Sequence, residues 1–132
     1  MTPAAILFAP EQYWRLTEEL RRELTNGCGA GGWLNKLIPE TMWGLNVTPV
    51  CNIHDYMYAV GDDHEDKEEA DRVFRNNLLR WIDANTHGWL LRRLRYNRAQ
   101  VYFEAVQHFG GPAFWHGKNK PEEMGVLSLG MV

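Results

Sequence analysis

The sequence predicts an all-α fold, and three features of the 132-residue chain point to it. Apolar residues recur at the 3.6-residue spacing of a helix, and no stretch shows the apolar–polar alternation of a strand. Proline and glycine stand between the periodic stretches, where helices begin and end. The length suits one hydrophobic core, so we expect a single domain over residues 1–132.

The first 47 residues should contain one helix followed by loops. Pro10 is suited to a first helical turn, and Tyr13, Leu16, Leu20 and Leu24 follow at helical spacing. We therefore expect a helix over residues 10–24 that stops at Asn26-Gly27. Residues 27–32 form a glycine-rich loop, and residues 33–47 are apolar but aperiodic, which predicts a loop or short helical turns.

Three further helices follow. Thr48 and Pro49 suit an N-cap and a first helical position, so we expect a helix over Pro49–Val60 that ends at Gly61. The acidic linker after it leads into a helix from Glu65 or Asp66 to about Asn85, and the next helix should span Trp89–Phe109. Residues 111–132 show little periodicity and predict an irregular tail.

The composition excludes several classes of function. The chain has 45% hydrophobic and 23% charged residues, as soluble globular proteins do, and its net charge of −3 gives no general attraction to nucleic acid. Residues 1–10 do not form a secretory signal, and no run of about 18 apolar residues predicts a transmembrane segment. We expect synthesis in the cytoplasm, with release from the cell or carriage in a virus particle as open alternatives.

The helix over Pro49–Val60 carries the residues with chemical potential. His54, Asp55 and Tyr58 lie within one turn of each other and share a broad face with Cys51. Asp71 lies on the next predicted helix, where an antiparallel helix pair would bring it to the His54 imidazole. A buried carboxylate there would orient the ring and stabilise the imidazolium, which is half of a hydrolytic site. The nucleophile would then be water.

The glycine-rich loop favours a metal site. Calcium takes roughly 6 to 8 oxygen ligands, many of them backbone carbonyls. The loop Asn26–Gly32 can turn successive carbonyls inward because glycine has no Cβ. A phosphate-binding loop is the rival interpretation, but the loop lacks the Lys-Ser/Thr ending and follows a predicted helix.

These residues resemble a known family. The run Cys51-Asn52-Ile53-His54-Asp55-Tyr56-Met57-Tyr58 resembles the active-site helix of the secreted phospholipase A2 superfamily. The glycine-rich loop resembles the calcium loop of that family, and Ala70-Asp71-Arg72-Val73-Phe74 is similar to its second-helix motif. The core motif region covers residues 26–82, and it looks closest to the compact bacterial, fungal and parvovirus-capsid branches.

The resemblance implies an activity. His54 would be the general base for a water that attacks the sn-2 ester of a glycerophospholipid at a membrane or micelle interface. Asp71 would be its partner, and Tyr58 would hydrogen-bond Asp71. The N–H of Gly29 would be a donor to the oxyanion.

The resemblance also implies a calcium ion and a disulfide. Ca²⁺ would be held by both oxygens of Asp55 and by the carbonyls of Gly27, Gly29 and Gly31. Cys28 and Cys51 match a pair that the family joins. The chain departs from the family in lacking an adjacent second cysteine, the remaining disulfides and a leader.

Two other functions stay open. One is a zinc-binding interaction module that uses Cys28, Cys51 and His54 with an acid such as Asp71. The other is a phospholipase-like scaffold that binds lipid or protein without catalysis. Five apolar residues after the glycine-rich loop either form a collar for lipid or fill the core: Trp33, Leu34, Leu37, Ile38 and Trp43.

Overall fold

The computed structural model describes residues 2–24, 38–116 and 118, and these residues are mostly helical. The all-α prediction is confirmed at this level. In chain order, the elements are α1 (Pro3–Ile6), α2 (Glu11–Arg15), α3 (Glu18–Leu24), β1 (Thr41–Met42), β2 (Leu45–Asn46), α4 (Thr48–Val60), α5 (His64–Asn85), α6 (Trp89–Phe109) and α7 (Gly111–Trp115). None of the described helices combines the length and the apolar character needed to cross a bilayer.

The N-terminal segment differs from the prediction, because the helix expected over residues 10–24 is broken between α2 and α3. Leu16 is extended, with φ −66° and ψ 143°. Thr17 caps the start of α3, since its hydroxyl accepts the N–H of Leu20 at 3.2 Å. Arg21 donates to three backbone carbonyls around the end of α2, which satisfies acceptors that a continuous helix would have used.

A short β-hairpin lies where the sequence predicted only a loop or helical turns. Met42 of β1 pairs with Leu45 of β2, so the turn consists of Trp43 and Gly44. Their φ values are 46° and 78°, as in a type I′ turn. A tryptophan adopts this conformation only under strain, and Arg95 holds the Trp43 carbonyl with a 2.7 Å hydrogen bond. The sequence did not predict this hairpin because strands of two residues are too short to show an alternating apolar–polar pattern.

Helix α4 begins at Thr48, one residue before the predicted start, and ends at Val60 as predicted. The side chain of Asn46 accepts the N–H of Thr48 at 2.8 Å. Gly61 ends the helix with φ −68°, so a left-handed turn is not the reason for glycine here. A Cβ at this position would lie 2.7 Å from the Phe114 ring, which makes close approach the reason.

The acidic linker caps helix α5. The Asp63 side chain accepts the N–H of Asp66 at 2.9 Å, and the Asp66 side chain accepts the N–H of Asp62 at 2.8 Å. This reciprocal pattern resembles a capping box. The helix therefore begins at His64, slightly before the predicted start, and ends at Asn85 as predicted.

Helix α6 spans the predicted range, Trp89–Phe109. The prediction of an irregular tail from residue 111 is wrong at its start, because residues 111–115 form α7 with Pro112 in the first turn. Burial of Phe114 and Trp115 stabilises this turn. Residues 117 and 119–132 of the predicted tail lie outside the described residues.

The core lies around α5, which contacts both α4 and α6, while α7 contacts α4 and α6. Asn77 of α5 is buried. Its side-chain oxygen accepts the N–H of Phe8 at 2.8 Å, and its side-chain nitrogen donates to the Phe8 carbonyl at 2.7 Å. The N-terminal segment is thereby joined to α5. The largest fully buried apolar side chains are Phe74, Phe114, Ile38, Met42, Ile53, Leu78, Ile82, Val47, Val50 and Val106.

Candidate active site

Helix α4 directs two neighbouring polar residues to different surroundings. Consecutive residues on a helix diverge by about 100°. The His54 side chain is buried, with 1% exposure, whereas Asp55 is half-buried. The imidazole therefore lies inside the protein, while the neighbouring carboxylate keeps partial contact with solvent.

His54 contacts Asp71 of α5 inside the core. Its Nε2 lies 2.8 Å from Asp71 Oδ1, and Asp71 has 3% exposure. Tyr58, one turn after His54 on α4, donates its hydroxyl to the same oxygen at 2.6 Å. The structure thus brings together three residues that the sequence singled out.

The second oxygen of Asp71 accepts a hydrogen bond from Lys67, a residue that no sequence motif indicated. Lys67 Nζ lies 2.7 Å from Asp71 Oδ2. The two residues are four apart on α5, a spacing that pairs side chains on one helix face. That spacing was the available signal, but a lysine inside a run of charged residues is usually solvent-exposed.

Aromatic rings surround the pair. The ring centroid of His54 lies 4.1 Å from that of Tyr58 and 4.7 Å from that of Phe74. Phe114 of α7 packs edge-on against Tyr58, with centroids 5.2 Å apart. Hydrogen bonds to an ionised group are stronger in such surroundings than in water.

Burial and hydrogen bonding set the protonation states of Asp71 and Tyr58. Burial alone would raise the pKa of Asp71, but the hydrogen bond from His54 and the charge that its imidazolium form carries, with hydrogen bonds from Lys67 and Tyr58, hold this pKa below its ordinary value. Burial, followed by the charge of Asp71 and the hydrogen bond to it, raises the pKa of Tyr58. Asp71 is therefore an anion, and Tyr58 keeps its proton.

These states select one tautomer of His54. An ionised carboxylate can only accept hydrogen bonds, so Nε2 must carry the hydrogen in the 2.8 Å contact with Asp71. In the neutral ring, Nδ1 then has the free lone pair. The arrangement provides a base at Nδ1 and a carboxylate that stabilises the imidazolium when the base takes a proton.

We expect the lowered pKa of Asp71 to appear in acid unfolding. A carboxyl group whose folded pKa is lowered contributes stability above its unfolded value, about pH 4, and loses that contribution as the pH falls through the folded value. Urea unfolding of the wild type and of Asp71→Asn should therefore differ in slope below about pH 4. Wild-type stability should fall more steeply; equal slopes would contradict the assignment of Asp71 as a buried anion.

Gly110, at the end of α6, allows the hydroxyl of Tyr58 to approach the backbone. A Cβ on Gly110 would lie 2.5 Å from the Tyr58 hydroxyl oxygen and closer still to the Val106 carbonyl. Because real Cβ atoms do not approach that closely, any larger residue must displace Tyr58 or the helix end. The C-terminal end of α6 is thus part of the site's support, which no local sequence pattern indicated.

The Gly110→Ala substitution should lower the free energy of unfolding by about 1–3 kcal/mol, as overpacking usually does. It should also lower any hydrolytic activity, because Tyr58 moves away from Asp71. Gly111→Ala is the matched control, since a Cβ there meets no atom within 4 Å. Urea unfolding checks the prediction, and equal stability of the two variants would contradict it.

The predicted calcium ligands are only partly described. Gly27, Gly29 and Gly31 lie outside the described residues. Asp55 is half-buried. Burial is the main cause of the raised pKa of both Tyr13 and Tyr58, and the charge of Asp55 adds to it. A hard oxygen anion in this position fits the ligand preference of calcium.

The state of the two cysteines matters for the alternative function as a zinc-binding module. Cys51 is buried and disulfide-bonded, and Cys28 lies outside the described residues. Zinc binds cysteine as a thiolate, which a disulfide does not offer. Among the residues that the structure describes, no group of three or more His, Cys, Asp or Glu side chains is arranged to hold a metal ion.

The five apolar residues predicted either to form a collar for lipid or to fill the core are only partly described, and the two described ones differ in burial. Ile38 is buried and belongs to the core, while Trp43 is exposed on the hairpin turn. Trp33, Leu34 and Leu37 lie outside the described residues. The two described members therefore lie in different surroundings.

Comparison of the sequence with protein-family models and with curated proteins, and of the fold with solved structures, finds no match.

Proposed function

We propose that this protein is a calcium-dependent hydrolase of the sn-2 ester of glycerophospholipids, with His54 as general base. The observation that carries the proposal is the buried His54–Asp71 pair, joined at 2.8 Å, with Tyr58 on the same carboxylate oxygen. Burying a carboxylate is costly even when it is paired, so this contact is weak evidence for a purely stabilising role. Perturbed buried groups are more frequent at functional sites.

In the proposed reaction, Nδ1 of His54 takes a proton from a water molecule that attacks the ester carbonyl. Asp71 keeps the ring in the tautomer with hydrogen on Nε2, and it stabilises the imidazolium that forms. Tyr58 keeps Asp71 Oδ1 in place at 2.6 Å. His54 then returns the proton to the leaving alkoxide, which gives lysophospholipid and a fatty acid.

The proposed calcium site joins Asp55 to the glycine-rich loop. Asp55 and the carbonyls of Gly27, Gly29 and Gly31 would hold the ion. When bound, Ca²⁺ supplies a Lewis acid that polarises the ester carbonyl and neutralises the oxyanion, with the N–H of Gly29 as a second donor. In this proposal α4 and α5 form the antiparallel pair that carries the site.

We also propose that Cys51 pairs with Cys28, the other cysteine in the sequence. The bond would attach the calcium loop to α4 one turn before His54. Closing a loop of this size is worth about 3 kcal/mol in the chain-entropy model. Reduction should therefore weaken calcium binding before it unfolds the helices.

The substrate in this proposal is a glycerophospholipid presented at a membrane or micelle surface. The test is the release of fatty acid from phosphatidylcholine with different labels at the two acyl positions, in mixed micelles with Ca²⁺ or with a chelator. We expect release of the sn-2 label, only with Ca²⁺. The Asp55→Asn variant should require far more Ca²⁺, because a carboxylate ligand is lost.

Either of two results would contradict the proposal and favour another function. Folded protein that releases neither label with Ca²⁺ would favour the inactive lipid- or protein-binding scaffold. Zinc that remains in the purified protein and is displaced by thiol reagents would favour the interaction module.

A further inference from the structure

Lys67 is a buried cation in the middle of the site. Its side chain has 9% exposure. The ammonium group donates to Asp71 Oδ2 at 2.7 Å and approaches the backbone carbonyls of Val106 and Gln107, at 3.3 Å and 3.4 Å. An ammonium group has three donors, so each has an acceptor. Burying such a group is costly unless it is paired in this way.

The contacts divide the two oxygens of Asp71 between two tasks. Oδ1 accepts from His54 and Tyr58, both on α4. Oδ2 accepts only from Lys67 among the contacts that the structure describes. A carboxylate held at one oxygen can still rotate about its Cβ–Cγ bond, whereas a carboxylate held at both oxygens has a fixed plane. The plane of Asp71 decides whether Oδ1 faces Nε2 of His54.

The carbonyls of α6 fix the position of Lys67 itself. Val106 and Gln107 belong to the last turn of α6, where the helix dipole favours a cation. The Val106 carbonyl also accepts the N–H of Gly110, at 2.9 Å. A lysine on α5 is thereby held between its own helix and the end of the next. Asp71 is supported from α4 through one oxygen and from α6 through the other.

We infer that Lys67 is a positioning residue for the proposed hydrolysis: it fixes the plane of Asp71, and through it the His54 imidazole, by joining that carboxylate to the end of α6. The inference depends on the proposed function for its catalytic consequence. The described contacts of Lys67 are with Asp71 and the end of α6, so in this inference it acts on the reaction only through Asp71. Its removal should therefore lower kcat and leave KM and calcium affinity unchanged.

The competing explanation is that Lys67 only joins α5 to α6. A purely structural role would lower the melting temperature and the folded fraction, but it would leave kcat per folded molecule unchanged. The two explanations are separated by kinetics at a temperature well below every melting point, with rates normalised to the folded fraction.

The test compares Lys67→Met, which keeps the length of the side chain without its charge, with Arg72→Met on the same helix. Arg72 is exposed, so its removal controls for loss of a cation from α5. We expect kcat of Lys67→Met to fall by about 10- to 100-fold, the usual effect of a small misplacement of catalytic groups. KM and calcium affinity should stay within about twofold, and Lys67→Arg should recover part of kcat. An unchanged kcat per folded molecule of Lys67→Met would overturn the inference.

A measurement on the wild type needs no variant and no activity. The hydrogen bond from Lys67 Nζ to Asp71 Oδ2 should give a scalar coupling between the ¹⁵Nζ of Lys67 and the ¹³Cγ of Asp71 in NMR spectra of labelled protein. Absence of the coupling would overturn the inference even if Lys67→Met does not fold. If the coupling is present and the wild type releases no fatty acid, the proposed function fails while the positioning of Asp71 stands.

Discussion

Replacing His54 with glutamine is expected to lower calcium-dependent fatty-acid release by about 10²- to 10⁴-fold, the usual contribution of a general base. Glutamine is close in size to histidine, and its amide can still donate to Asp71 Oδ1, so the core should remain packed. It has no group that can take a proton from water at neutral pH. Initial rates on mixed micelles measure the effect.

The control for this substitution is His87→Gln. His87 is exposed between α5 and α6, outside the site. The His87→Gln variant should keep wild-type activity, and both variants should give the wild-type circular dichroism spectrum. If His54→Gln retains activity within tenfold of the wild type, His54 is not the base.

Replacing Asp71 with asparagine should cost about 10³- to 10⁴-fold in kcat, with a small effect on KM. A loss of this size follows when the orienting aspartate of a serine-protease triad is changed to asparagine. The amide group of asparagine can donate to Nε2 of His54, which moves the ring hydrogen to Nδ1 and removes the base. The wild-type carboxylate can only accept at that position.

Asp83→Asn is a suitable control for Asp71→Asn, because Asp83 is an exposed carboxylate near the end of the same helix. It should leave kcat and KM unchanged. A kcat for Asp71→Asn within tenfold of the wild type would mean that the tautomer of His54 does not depend on this contact. Loss of activity with an equal rise in KM would indicate a defect in binding instead.

The long helices could be predicted because their signals are local. The apolar period of α5 and α6 and the residues at their ends fixed the boundaries to within about two residues. The break between α2 and α3 was missed, because it depends on Arg21 reaching back to carbonyls of the preceding helix. The hairpin was missed because its strands are too short to show a period.

The centre of the site could be predicted for the same reason. Asp71 lies on the helix that follows His54, so helical geometry suggested that these two residues meet. The hydrogen bond from Tyr58 to Asp71 was implied by the family resemblance. Lys67 and Gly110 could not be identified in this way. Their roles depend on where α6 ends in space, which is a tertiary fact: the carbonyls that hold Lys67 are about forty residues away along the chain.

The most direct test of the central claim is the tautomer of His54 in the wild-type protein. ¹⁵N NMR of histidine-labelled protein, recorded at a pH where imidazoles are ordinarily neutral, distinguishes a protonated ring nitrogen from one with a free lone pair. The account predicts a protonated Nε2 and an unprotonated Nδ1 for His54. A neutral ring with its hydrogen on Nδ1 would contradict it, because the nitrogen required to accept a proton from water would already carry one.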